Sequence, residues 1–279
     1  MKKYNDNKSL NGKKISKEKK YLDKQVNDFS IPKELNNKRI IPGRNAVYEV
    51  LRYVPNKIIK LYYSSENGDK RSSDILKLAK DNGIKLELVT KQDILKISNV
   101  DNNQGFLAIV KNDSDKSLKT YLQNIKNFQN EKICIVAVDS VEDPHNLGAI
   151  YRACECFGVS AVLICKNRGV CITPTVAKVA VGATELVNTI EVSNMLTAIR
   201  ELKKEGFWCI AADVNEKSVN LHDFEFPEKS VLIVGAEGTG VKKALKDEAD
   251  FIIKIPQAGR IDSLNVSQAT AVILYQMTK

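Results

Sequence analysis

Histidine is scarce in this chain: 279 residues include only two. With no Cys/His/Asp/Glu cluster at ligand spacing, the common zinc-enzyme and zinc-finger patterns are excluded and no metal is expected. The six cysteines, Cys134, Cys154, Cys156, Cys165, Cys171 and Cys209, contain no C-x-x-C pair. Most lie in apolar strand-like or helical surroundings, as core thiols do in a reducing compartment. Cys154 and Cys156 stand two apart on an expected helix and so point away from each other, which argues against a shared metal ion. No apolar run approaches the roughly 20 residues of a membrane helix, and the N-terminal stretch lacks the apolar core of a signal peptide. A soluble protein of the cytoplasm or of an organelle matrix is expected, with no membrane partner. Glycine-rich phosphate signatures are missing too: there is no Walker spacing, and Gly235, Gly238 and Gly240 do not fit G-x-G-x-x-G. No internal repeat is visible.

What the chain has is positive charge: 43 Lys+Arg against 34 Asp+Glu, a formal +9 and a pI near 9.1. An anionic partner fits that balance, nucleic acid first. Residues 1–38 hold eleven Lys and five acidic residues, and therefore six of the nine surplus charges. This Lys- and Asn-rich stretch has too little apolar surface to offset its ordering entropy and is expected to be a disordered tail. A solvated extension without a role and a tether making sequence-independent phosphate contacts fit it equally.

Residues 39–111 read as a small α/β unit. It opens with RIIPGRNAVYEVLR, in which Ala46, Val47, Val50 and Leu51 recur at helical spacing. A strand IIKLYYSS, a helix from Ser72 to Asp81, a strand IKLELVT, a short helix TKQDILKIS and a strand GFLAIV follow. The charged, Asn-rich residues 112–131 are the expected linker. From Lys132 the pattern becomes near-continuous apolar runs, ICIVAVD, AVLIC, WCIAAD, SVLIVGAEG and DFIIKIP, alternating with helices Asn146 to Phe157, Ser193 to Glu205 and one entered from Leu264. Runs apolar at every position mark parallel strands covered on both faces. Residues 132–279 are therefore expected to form an α/β domain whose ligand site lies beyond the strands' carboxyl ends.

Three segments of that domain could carry chemistry. In VDSVEDPHNLGAIYRACECFG, Asp143 and Pro144 fit the N-cap and first position of a helix. Arg152 would lie over the turn before it, where Gly148 leaves its path open, so that Asn146 and Arg152 could share a cleft. A surface salt bridge from Arg152 to Glu155 or Asp143 fits the helix geometry better, and His145 reads as an ordinary loop histidine. In VLIVGAEGTGVKKAL a buried strand enters a glycine turn holding Glu237, suited to pair with an arginine or asparagine; an ordinary strand-to-helix turn is the plainer reading. In FIIKIPQAGRIDSLNVSQATAVILYQ, Pro256 closes a strand, and Ser263 and Asn265 stand where an amphipathic helix begins; Ser263 as a helix cap would explain that segment alone.

In this order and spacing the three segments resemble the SpoU-type methyltransferases of the SPOUT class. N-x-G-x-x-x-R appears as Asn146, Gly148 and Arg152, the glycine-Glu turn as GAEG from Gly235, and the last motif as IPQAGRIDSLNVS. RGVCITPTVAKVAVGATE is similar to the family's middle region. Residues 39–111 are similar to the small RNA-binding domain that precedes the catalytic domain in the group's ribosomal guanosine methylases, with Asn103, Gln104 and Gly105 where those commonly read His-Gln-Gly.

The resemblance implies a parallel-sheet SPOUT domain with a trefoil knot, a feature no periodicity predicts, preceded by an α/β RNA-binding domain. It implies S-adenosylmethionine held by backbone groups of Gly235, Ile255 and Leu264. Asn146, Arg152, Glu237, Ser263 and Asn265 would form the catalytic group, in a homodimer whose partner completes each site. The implied reaction is 2′-O-methylation of a ribose in structured RNA, a guanosine of 23S-type ribosomal RNA. Arginine is normally always protonated, so Arg152 is expected to clamp the neighbouring phosphate and stabilise the developing alkoxide, with Glu237 and Asn146 fixing its pose. A transfer-RNA ribose methylase of the same class also fits, because the catalytic motifs do not name the RNA. So does a non-catalytic RNA-binding paralogue used in ribosome assembly, although the three intact motifs count against it.

Overall fold

A computed structural model describes residues 38–65, 69–112, 117–125, 132–166, 169–261 and 263–279. Apart from Lys38, the expected tail lies outside the described residues. Four strands, β1 (Arg39–Pro42), β2 (Ile58–Tyr63), β3 (Lys85–Leu88) and β4 (Phe106–Val110), form a first sheet in the order β1-β4-β2-β3, with β2/β3 parallel and the pairs on β4 antiparallel. Helices α1 (Arg44–Tyr53), α2 (Lys70–Asp81) and α3 (Lys91–Ser98) accompany it. In α1, Ala46, Val47, Val50 and Leu51 are the buried positions, as their spacing predicts. Helix α2 begins two residues before the expected Ser72, because the Asp69 carboxylate accepts from Ser72 N at 2.9 Å and caps it.

Residues 112–131 are not simply a linker. They contain α4 (Leu118–Ile125), whose Leu118 and Leu122 are buried in the core of the second sheet. Residues 113–116 and 126–131 lie outside the described residues.

The second sheet has seven strands: β5 (Ile133–Val138), β6 (Ala161–Cys165), β7 (Asn188–Val192), β8 (Trp208–Ala212), β9 (Val219–Asn220), β10 (Lys229–Val234) and β11 (Phe251–Lys254). Their order is β7-β6-β5-β10-β8-β11-β9, and every pairing is parallel. Burial at every position of β5, β6 and most of β10 reflects cover on both faces. One face carries α5 (Pro144–Cys156), α6 (Pro174–Val179), α7 (Ala183–Leu186) and α10 (Val266–Met277). The other carries α4, α8 (Met195–Lys204) and α9 (Lys243–Glu248). The chain runs from β5 outward through β6 and β7, then crosses to β8 and inserts β10 beside β5. The direction of winding therefore reverses next to β5 and β10, the place where ligands bind in open α/β sheets.

Candidate active site

Four adjacent strands end together, and the residue after each carries part of the site: Asp139 after β5, Gly235 after β10, Asp213 after β8 and Ile255 after β11. The turn after β10 folds back on itself, with Gly240 N donating to Ala236 O at 3.0 Å. Any side chain at Gly235 would overlap the Gly240 carbonyl, so only glycine permits this closure. Asp213 holds the turn from the neighbouring strand. Its Oδ2 accepts from Val241 N at 2.9 Å and pairs with Lys246 Nζ at 3.1 Å, while Oδ1 accepts from Val214 N at 2.7 Å. On the other side, Lys242 Nζ pairs with the buried Asp139 carboxylate at 2.8 Å and also reaches the Ser140 hydroxyl. The turn is thus fastened to β8 and to β5 by one carboxylate each.

A cavity of about 500 Å³ opens beside this turn. Gly235, Ile255 and Leu264, the three expected cofactor contacts, all line it, together with Asp213, Glu237, Gln257, Ser263 and Asn265. Apolar walls come from Ala269 and Ile273 of α10.

Three of the five expected catalytic residues meet. Asn146 Nδ2 donates to Glu237 Oε1 at 2.7 Å, and Asn265 Nδ2 donates to both Glu237 Oε1 at 2.7 Å and Asn146 Oδ1 at 2.9 Å. They come from three separate segments, 91 and 119 positions apart for the pairs made by Asn146. Hydrogen bonds to an ionised carboxylate are stronger than neutral ones, so the two amides fix the Glu237 pose. Each is also locally anchored. Asn146 lies in the first turn of α5, whose cap Asp143 accepts from His145 N at 2.9 Å with Pro144 as the first helical residue. Asn265 caps α10, its Oδ1 accepting from Ser267 N at 2.9 Å.

Four expectations change here. Asn265 rather than Ser263 caps the last helix, which begins at Val266 instead of Leu264. Ser263 is an exposed residue of the cavity wall and makes no hydrogen bond among the described residues. Arg152 is exposed, and no contact with Glu237 or Asn146 fixes its pose. It stands six residues beyond Asn146, about 9 Å along the axis and on another side of the helix. The expected surface pairs with Glu155 or Asp143 are absent as well. Gly148 does not clear a path for Arg152. It is buried where α5 meets α6, and a Cβ there would sit 2.7 Å from Val179 Cβ.

Sequence reasoning missed Asp213, Asp139 and Lys242. The carboxylates did leave a signal, since each ends an apolar strand, in WCIAAD and ICIVAVD, where a buried charge needs a reason.

Two family models match the chain: the SpoU rRNA Methylase family over residues 133–275, and RNA 2'-O ribose methyltransferase substrate binding over residues 40–115. The chain belongs to the SpoU rRNA methylase family. The 23S rRNA (guanosine-2'-O-)-methyltransferase RlmB of Coxiella burnetii is 34% identical over 86% of this chain and 94% of its own length. The protein of the same name from Ralstonia nicotianae is 34% identical over 88% and 97%. Among solved structures, the AdoMet-bound rRNA methyltransferase from Sinorhizobium meliloti superposes with a TM-score of 0.69 at 24% identity, covering 88% of each chain. That likeness establishes a shared fold. The Asn146, Glu237 and Asn265 contacts join the three family motifs at one point in space.

Proposed function

We propose that this SpoU chain transfers a methyl group from S-adenosylmethionine to a ribose 2′-hydroxyl of RNA, the substrate being a guanosine of large-subunit ribosomal RNA. One observation carries the reading: the Asn146, Glu237 and Asn265 cluster stands at the wall of the glycine-turn cavity, at the carboxyl ends of the central strands. The RlmB relatives, named for 23S rRNA guanosine, support the choice of substrate.

The residues present fit the cofactor. The cavity volume, about 500 Å³, is in the range of small-molecule sites. Its backbone-lined glycine turn offers peptide N–H and C=O groups to an adenine edge, and Ala269, Ile273 and Leu264 offer apolar cover. The carboxylates of Asp213 and Glu237 complement a ligand with cationic amino and sulfonium groups. Bound there, S-adenosylmethionine supplies a methyl group already activated for nucleophilic attack.

The protein's part is alignment. Gly235, Ile255 and Leu264 hold the cofactor, and Glu237, held by two amides, orients the ribose beside it. Ser263, exposed on the wall, donates its hydroxyl to the incoming nucleotide. Arg152, long and exposed, binds the adjacent phosphate and stabilises the charge developing on the 2′-oxygen, whose proton passes to solvent water. A homodimer places a second copy's surface beside Arg152 and completes the site. Exposed apolar residues support that assembly: Ile261, Leu264, Val272 and Tyr275 lie on or just before α10. The knotted passage of the chain expected for the class accompanies this reading.

Labelled methyl transfer to ribosomal and transfer RNA, followed by nucleoside mass spectrometry, tests the proposal. The expected product is 2′-O-methylguanosine in large-subunit rRNA. Labelling of tRNA alone overturns the substrate; no S-adenosylmethionine binding by calorimetry overturns the enzyme; a monomer by light scattering at micromolar concentration overturns the dimer.

A further inference from the structure

The segment TPTVAKVAVGATE, from Thr173 to Glu185, belongs to none of the catalytic motifs, yet it packs against the N-terminal unit along its length. Ala177 of α6 is buried in the same core cluster as Ile41, Ala46, Val47 and Val50. Gly182 takes a positive φ of 89° and packs so closely on α1 that a Cβ would lie 3.0 Å from Ala46 O. Lys178 Nζ donates to Asp101 O at 2.6 Å. At the centre lies Glu185, whose side chain is 0% exposed. Its Oε2 pairs with Arg39 Nη2 at 2.5 Å, and its carbonyl accepts from Lys57 Nζ at 2.9 Å. Arg39 also donates to Thr184 O at 3.4 Å. Both cations come from the N-terminal unit, one from the first residue of β1 and one from the turn before β2.

We infer that Glu185 is a positioning residue for RNA: it clasps the substrate-binding unit to the catalytic sheet in one orientation, through Arg39 and Lys57. A fully buried carboxylate is costly unless paired, so separating the two units would remove the cation paired with Glu185 and leave it only the Thr184 hydroxyl, at 3.3 Å. The clasp also sits on a rigid path to the site. Helix α6 packs on α5 with Val179 against Gly148, two residues after Asn146 in the same helix. The distance between the RNA-holding surface and the Asn146–Glu237 pair is thereby set by packing inside one chain. Small errors in such a distance lower rates steeply, because catalysis by alignment tolerates little displacement.

The inference rests on the RNA reading for its kinetic part only; its structural part needs neither RNA nor cofactor. The test compares the full chain with Glu185→Gln, which keeps the shape and removes the charge, and with Arg39→Met, which removes the partner from the other side. Two spin labels, on exposed Lys80 of α2 and exposed Glu201 of α8, report the distance between the units. Expected are a broadened distance distribution in both variants and an RNA KM raised about ten-fold or more, with S-adenosylmethionine Kd unchanged within about two-fold. An unchanged distribution in both variants overturns the clasp. So does equal loss of cofactor affinity, which would make Glu185 a support of the catalytic fold alone. If wild type itself has a broad distribution, the units are not clasped. Broadening without any RNA methylation by wild type would retain the clasp and remove the RNA reading.

Discussion

Asn265 donates its amide to Glu237 at 2.7 Å while its carbonyl oxygen accepts from Ser267 N at 2.9 Å, so one side chain both fixes the Glu237 carboxylate and starts the last helix. The two roles separate on substitution. Asn265→Asp keeps a good capping group but sets a second carboxylate against Glu237. Expected are a thermal midpoint near wild type and a methyl-transfer rate lowered by about 100-fold. Asn265→Ala loses the cap as well and costs about 1 kcal/mol of stability. Thermal melts beside single-turnover assays check this, and an active Asn265→Asp enzyme would remove Glu237 from the catalytic group.

Arg152 presents the opposite case, an exposed side chain with no partner among the described residues. Its removal should leave the fold intact, with a stability change within about 0.5 kcal/mol. Arg152→Ala should nevertheless lower kcat at saturating RNA by roughly 100- to 1000-fold, the loss expected when one charge-stabilising group is removed. Arg152→Lys should recover only part, since an ammonium cannot grip a phosphate with a planar fork. Near-full transfer by Arg152→Ala would end the assignment.

The parts of this protein legible in its sequence are those set by local pattern. Strands β5, β6, β8, β10 and β11 read as apolar runs because both faces of a parallel sheet are covered. Strand β7 was not visible in that way: Asn188, Thr189 and Glu191 make it polar, as an edge strand can be. Helix α4 hid in a charged stretch because only Leu118 and Leu122 of it reach the core. In the site, Asn146, Glu237 and Asn265 were legible as motif residues, but their meeting depends on β10 inserting between β5 and β8, which no window of sequence encodes. Gly148 shows the same limit. Its place in a helix was readable, whereas its reason, the approach of Val179 from α6, is tertiary.

Asp213 gives a prediction for the glycine turn after β10. Its carboxylate accepts from Val241 N and Val214 N and pairs with Lys246, all beside the cavity it lines. Asp213→Ala leaves the turn tied to β5 through Asp139 and Lys242, and to Asn146 and Asn265 through Glu237, and S-adenosylmethionine Kd should rise about ten-fold, the equivalent of one or two lost hydrogen bonds. Gly235→Ala should weaken binding further, because its Cβ has no space against Gly240. Calorimetry on the free chain reads both, and binding within two-fold of wild type in Gly235→Ala would mean the turn opens at little cost.

The thiols carry a pH dependence whose sign follows from burial. Desolvation pushes Cys134 and Cys209 up to about 12 and Cys154 well above the usual thiol range. In the unfolded chain these groups ionise near the ordinary value of about 8.5. As pH rises past that value the unfolded state sheds protons that the folded state keeps, so stability falls from about pH 9 up to the folded values. Below pH 8 the three thiols contribute no slope. Urea denaturation at pH 7.5, 9 and 10.5 should show a midpoint that is flat and then drops, with Cys134→Ala reducing the drop. Iodoacetamide at pH 8 should label the exposed Cys156 and Cys171 first and spare Cys134, Cys154 and Cys209 until denaturant is added. Rapid native labelling of Cys154 would show that α5 opens locally, and with it the helix that carries Asn146 and Arg152.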